Sequence, residues 1–99
     1  MDTLQVIAEP RRREILRLIW DEERAAGDIA GQFDLTFGAV SQHLAVLRQA
    51  DLVQVRRDGN RRLYKADQKA LEPYREVLEI MWSDMLSRLN ATIESKRSP

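Results

Sequence analysis

From Thr36 to Val53 the apolar positions fall at helical spacing. Val40, Leu44 and Leu47 share one face, and Ala39, Val46 and Ala50 widen it. Thr36 suits the N-cap, because its hydroxyl can accept from an orphan backbone N–H of the first turn. The exposed side of the first two turns then carries Phe37, Gly38, Ser41 and Gln42. These are short or planar groups able to approach a base edge. Ser and Gln can donate and accept in a major groove, and Gln can pair bidentately with adenine. A helix of this kind can read a duplex, but an ordinary core helix with a polar front has the same pattern.

Upstream, Asp2 to Ala8 is expected as a short helix with Leu4, Ile7 and Ala8 on one side. Pro10 opens a second helix, since its missing N–H costs nothing in a first turn. Ile15, Leu16, Leu18, Ile19 and Trp20 form its buried side. Arg11, Arg12 and Arg13 stand at its start, where the helix dipole disfavours cations. Either phosphate contact or a solvated turn, with Arg12 paired to a carboxylate, accounts for them. A third helix is expected over Ala25 to Phe33, with Ile29, Ala30 and Phe33 inward. Asp34 and Leu35 turn into the Thr36 helix, which gives a helix-turn-helix.

Past Leu52 the period changes from helical to alternating. V-Q-V-R-R reads as a strand, D-G-N as a hairpin turn and R-R-L-Y-K-A as the return strand. A basic ribbon directly behind a helix-turn-helix is a wing. Arg57, Asn60, Arg61 and Arg62 are expected near its tip, where they can reach phosphates or an adjacent minor groove. A solvated hairpin whose arginines protect an edge strand is the plainer reading.

The last element is expected as one long helix from about Gln68 to about Ile93. Leu71, Tyr74, Leu78, Met81 and Met85 form one stripe, and Trp82, Leu86, Leu89 and Ile93 an adjoining one. Two stripes cover more of a helix than one core contact needs. We therefore expect a homodimer through the terminal helices, with Leu4, Ile7, Met81, Trp82, Met85 and Leu89 as candidate interface residues. The expected fold is mainly α with a small β-hairpin, in the order α-α-α-α-β-β-α. It occupies residues 1–95 as one domain, with 96–99 as a polar tail.

Composition sharpens this picture in three places. The 99-residue chain has no net charge, but residues 36–66 hold six basic and two acidic side chains. That local patch, rather than the total, governs phosphate binding. There is no Cys and a single imidazole, His43. This removes thiolate metal sites, disulfides and cysteine nucleophiles, and no cofactor is expected. No 18-residue apolar run is present and no basic-plus-apolar leader opens the chain, so a cytoplasmic protein without membrane contact is expected.

Three segments are similar to the ArsR/SmtB-type bacterial winged-helix repressors: E-P-R-R-R-E-I-L-R-L-I, V-S-Q-H-L-A-V-L-R-Q-A-D-L-V and R-R-D-G-N-R-R-L-Y-K. The resemblance spans nearly the whole chain, and the second segment is its most specific part. It implies a homodimer bound to a palindromic operator in double-stranded DNA, repressing nearby genes. Its contact region maps onto Thr36, Phe37, Gly38, Ser41, Gln42 and His43, with wing residues near Arg61 and Arg62. Three positions depart from the family pattern. Ala45 stands where a basic residue is frequent, Ala25 where a Ser cap is usual, and Asp51 where Gly is common. Many members sense metal through Cys pairs or His/Asp sets. Here Glu76, Glu79 and Asp84 on the last helix could supply oxygens but have no thiolate or imidazole partners, so the resemblance points to the metal-independent branch, with no effector specified.

Two other classes fit the sequence less well. A winged-helix interaction module that ignores DNA needs no basic middle third. An enzyme lacks support: there is no Gly-rich phosphate loop and no nucleophile–base arrangement at plausible spacing.

Overall fold

The computed structural model describes residues 2–84. The expected domain limit at residue 95, the tail, and the interface candidates Met85 and Leu89 lie outside the described residues. Helix α1 (Thr3–Ala8) opens with a reciprocal capping box. The Asp2 side chain accepts from the Gln5 N–H at 2.9 Å, and the Gln5 side chain accepts from the Asp2 N–H. Helix α2 (Pro10–Leu18) starts on Pro10, with Glu9 as N-cap accepting from the Arg12 N–H at 3.0 Å.

The arginines at the start of α2 have a use that neither sequence reading anticipated. Arg12 Nε donates to the Val6 carbonyl at 2.7 Å, and Arg13 Nη1 donates to those of Ile7 and Ala8 at 2.9 and 2.7 Å. These are orphan carbonyls at the C-terminus of α1. A cation ill placed for one helix dipole is thus well placed for the other. Arg11 pairs with Glu14 on its own helix at 3.1 Å.

A two-residue strand, β1 (Arg24–Ala25), precedes helix α3 (Ala26–Phe33). Helix α4 (Phe37–Gln49) follows, then strands β2 (Val53–Asp58) and β3 (Arg61–Ala66). The strands form one antiparallel sheet in the order β1-β3-β2. The hairpin pairs Asp58 with Arg61, so Gly59 and Asn60 are the two turn residues. Gly59 has φ 63°, the positive value that a primed hairpin turn requires at its first central position.

The core draws on every helix. Val6 and Ile7 of α1, Ile15, Leu16 and Ile19 from α2 and its cap, Ile29 of α3, and Val40, Leu44 and Leu47 of α4 are buried. Leu71 and Leu78 close it from the C-terminal side. The α1 phase therefore differs from expectation. Val6 and Ile7 point inward and Leu4 is exposed, and Ile7 is enclosed in its own protomer, where it has no surface to offer a partner. Backbone bonds lock the sheet to the helices: the Ala66 N–H donates to the Ile19 carbonyl and the Asp67 N–H to that of Leu52, both at 2.9 Å.

The last element is not one uniform helix. Helix α5 (Gln68–Leu71) tightens into a 3₁₀ turn (Glu72–Tyr74) before helix resumes over described residues 75–84. Pro73 explains the tightening, because it has no N–H for the α ladder. The buried stripe runs through Leu71, Leu78 and half-buried Trp82, not through Met81. Trp82 stacks edge-on against Trp20 with centroids 5.4 Å apart, and its Nε1 donates to the Arg13 carbonyl at 3.0 Å. It is anchored to its own domain by these two contacts. The exposed apolar groups here are Val77, Ile80 and Met81, of which only Met81 was expected.

Candidate nucleic-acid interface

Helix α4 is fixed at both ends by its own sequence. At the start, Thr36 Oγ1 accepts from the Ala39 N–H at 3.1 Å. At the end, Asp51 sits at φ 59°; its N–H bonds the Arg48 carbonyl, and the Leu52 N–H bonds that of Leu47, both at 3.0 Å. This is a Schellman motif with Asp where Gly is usual, sealed by apolar Leu47 and Leu52, both buried. The turn before α4 uses the same device. Asp34 has φ 53°, and the Leu35 N–H reaches back to the Ala30 carbonyl at 3.2 Å. Ala25 at the N-cap of α3 makes no side-chain cap bond.

With its inner face committed to the core, α4 turns Gly38, Gln42, Ala45 and Gln49 outward, with Ser41 half-buried beside them. Phe37 at the first turn is 63% exposed. Four expected contact residues, Phe37, Gly38, Ser41 and Gln42, are therefore brought together, with Thr36 exposed as their cap. His43 departs from them. Its Nδ1 lies 3.8 Å from the Glu9 carboxylate in the seam between α4 and the start of α2.

A cleft of about 910 Å³ runs between α4, the start of α3 and the hairpin. Phe37, Ser41, Ala45, Arg48 and Gln49 line it from α4, and Asn60, Arg61, Arg62 and Tyr64 from the hairpin. The face expected from sequence covers only the first two turns of α4. The helical period that selected Ser41 also selects Ala45 and Arg48, and following it further would have found them.

The hairpin arginines divide by strand face. Arg57 stands directly opposite Arg62, on the face that continues Val55 and Tyr64 beyond the core. Neither makes an ion pair among the described residues. Like charges directly opposite across strands repel, so this pair favours an anion between or near them. Arg56 and Arg61 are already matched. Arg56 Nε donates to both Glu23 carboxylate oxygens at 2.8 Å, and a second guanidinium nitrogen also reaches Glu23. These bonds hold the Glu23 carboxyl below the usual glutamate range and push the Arg56 guanidinium higher still. Arg61 donates to Asp28 at 2.7 Å. The basic patch is thus smaller than residues 36–66 alone imply, because acids from the first third of the chain neutralise two of its cations.

An exposed second helix of a helix-turn-helix, flanked by a basic two-stranded ribbon, defines a winged-helix DNA-binding protein. Known proteins agree. The family described as "Bacterial regulatory protein, arsR family" matches residues 9–55. The HTH-type transcriptional regulator Rv2034 of Mycobacterium tuberculosis is 35% identical over 92 residues, 93% of this chain and 86% of that one. The transcriptional repressor SdpR of Bacillus subtilis is 32% identical over 72% of this chain and 79% of its own. A crystal structure described as a possible transcriptional regulator for arsenical resistance superposes with TM-score 0.71 at 39% identity, covering 93% and 96% of the two chains. A homodimeric winged helix-turn-helix DNA-binding domain from Mycobacterium bovis, described as a possible ArsR-family regulator, gives 0.70 at 26% identity over 81% and 74%. The chain belongs to the arsR family of bacterial regulatory proteins. It is a DNA-binding transcriptional regulator and not an enzyme.

Proposed function

We propose that the chain works in the cytoplasm as a homodimer that binds a palindromic operator and represses the genes beside it. The observation that carries this reading is the unpaired Arg57–Arg62 couple at the edge of a cleft whose other wall is the exposed side of α4. Gln42 and Ser41 read base edges in the major groove, and Phe37 contacts a thymine methyl. Arg57 and Arg62 hold the flanking backbone. Two copies place their α4 helices about 34–36 Å apart, in successive major grooves.

Leu4, 57% exposed, with Val77, Ile80 and Met81, supplies apolar surface that one protomer leaves uncovered. A domain this small gains stability from covering it with a second copy. The homodimeric Mycobacterium bovis domain supports that arrangement by analogy. No effector is assigned.

The test is a salt titration of binding to the promoter region upstream of the protein's own gene, beside a scrambled duplex. The promoter should win by about 10³ or more at physiological salt. Gln42→Ala should lose about 1–3 kcal/mol of preference at one base position, and Arg62→Ala should weaken all sequences alike and lower the salt slope by about 1. Equal binding to both duplexes would overturn operator recognition.

A further inference from the structure

The wing arginines carry the same formal charge but stand in different states. Arg62 has no carboxylate partner among the described residues, whereas Arg61 is held 2.7 Å from Asp28. The pair spans 33 positions of sequence and ties the tip of the wing to the first turn of α3. Both side chains are more than half exposed, at 59% and 55%, so water and phosphate oxygens can reach them. Both line the cleft between wing and α4.

Asp28 also lies at the favourable end of its helix. It is the only acid in the first turn of α3, where unsatisfied N–H groups favour a carboxylate. The helix lacks a side-chain cap at Ala25, which leaves that role open to Asp28.

Resting on the DNA-binding reading above, we propose that Asp28 is a positioning residue for the wing. It holds Arg61 in the free protein and surrenders it to a backbone phosphate when DNA enters the cleft. The exchange swaps one anion for another. The phosphate releases its condensed counterion as Arg61 arrives, whereas the lone, exposed Asp28 carboxylate condenses none in return, so the exchange shows in affinity rather than in the salt slope. Arg61 therefore contributes the same slope as Arg62 but less affinity, because its phosphate contact is offset by the Asp28 pair it leaves.

The experiment measures the slope of log K against log salt on a mixed-sequence duplex of about 30 base pairs, three helical turns. The proteins are the full chain, Arg61→Ala, Arg62→Ala, Asp28→Asn and the double variant Asp28→Asn/Arg61→Ala. Arg62→Ala and Arg61→Ala should each be shallower by about 0.9, with the smaller loss of affinity in Arg61→Ala. Asp28→Asn should keep the slope close to the parent's, because the phosphate contacts are the same. It should also bind about two- to fivefold tighter at low salt, the range set by an exposed ion pair. The double variant should return to the Arg61→Ala slope. Asp28→Glu, which keeps the charge, should behave as the parent, and melting curves confirm that each variant is folded.

An affinity for Asp28→Asn equal to the parent's would overturn the proposal. So would tightening that persists undiminished without Arg61. NMR relaxation of the Arg61 Nε–H without DNA separates the two levels of the argument. An ordered guanidinium that loosens in Asp28→Asn supports the tie itself. If the parent binds no duplex even at low salt, the DNA-binding reading fails and this one with it. If the parent binds but Arg61 is equally mobile in both proteins, only the positioning role of Asp28 fails.

Discussion

His43 Nδ1 lies 3.8 Å from the carboxylate of Glu9, the residue that caps α2. The contact turns the sole imidazole of the chain into the seam behind α4. Gln42, its immediate neighbour, stays exposed. One residue on a helix is a rotation of about 100°, enough to separate a reading side chain from a packing one.

His43→Ala should therefore change stability and not sequence preference. A polar contact this long and partly exposed is worth at most about 1 kcal/mol. Comparing base preference position by position in His43→Ala and Gln42→Ala checks the assignment. A lost preference in the His43 variant would return it to the DNA-contacting set.

Asp51 tests the end of the same helix. A left-handed conformation costs an L-residue about 1–2 kcal/mol, and Gly avoids this at about 0.5–1 kcal/mol of chain entropy. Asp51→Gly should thus be about 0.5–1 kcal/mol more stable in denaturant titrations. Asp51→Val should be less stable than the parent. The opposite order would mean that the Asp51 side chain supplies something its backbone geometry does not require.

Trp82 anchors the final helix through one edge-on ring contact and one hydrogen bond to Arg13. Trp82→Ala should cost about 2–4 kcal/mol, below the full value of a wholly buried Trp. Trp82→Phe should recover the ring packing but not the bond to the Arg13 carbonyl. Equal losses in the two variants would assign the anchor to the hydrogen bond rather than the ring.

The Glu23–Arg56 pair gives the wing root an acid-sensitive contribution. Arg56 lowers the Glu23 carboxyl in the folded protein, mainly through its hydrogen bonds. A lowered carboxyl contributes stability above the usual glutamate range and loses it as pH falls from there through the depressed folded value. Glu23→Gln should therefore differ from the parent at neutral pH and converge with it below that window. Melting curves at stepped pH check this, and a difference constant with pH would rule the pair out as its source.

Most of the fold was legible because local signals were long or chemically specific. Thr36 marked the start of α4, the α4 seam gave its period, and Asp58-Gly59 marked the hairpin. Strand β1 was not legible. Two residues carry no period, and Arg24–Ala25 is a strand only because β3 lies beside it. The roles of Arg12 and Arg13 needed the end of α1 to be adjacent in space. On the last helix Met81 and Trp82 were both interface candidates; Met81 is exposed, whereas Trp82 is half-buried against Trp20, a contact that spacing along one helix does not reveal. In the interface, composition counted every arginine of the wing. Only pairing geometry could separate Arg57 and Arg62 from Arg56 and Arg61.

The central claim is that two α4 helices read one symmetric site. Selection of binding sequences from a random duplex pool by the full-length protein tests it directly. The account expects an inverted repeat whose half-sites are centred about 10–10.5 base pairs, or a multiple, apart, with the conserved bases where Gln42 and Ser41 enter the groove. Recovery of sequences with no shared motif, or of a single unrepeated half-site, would contradict it.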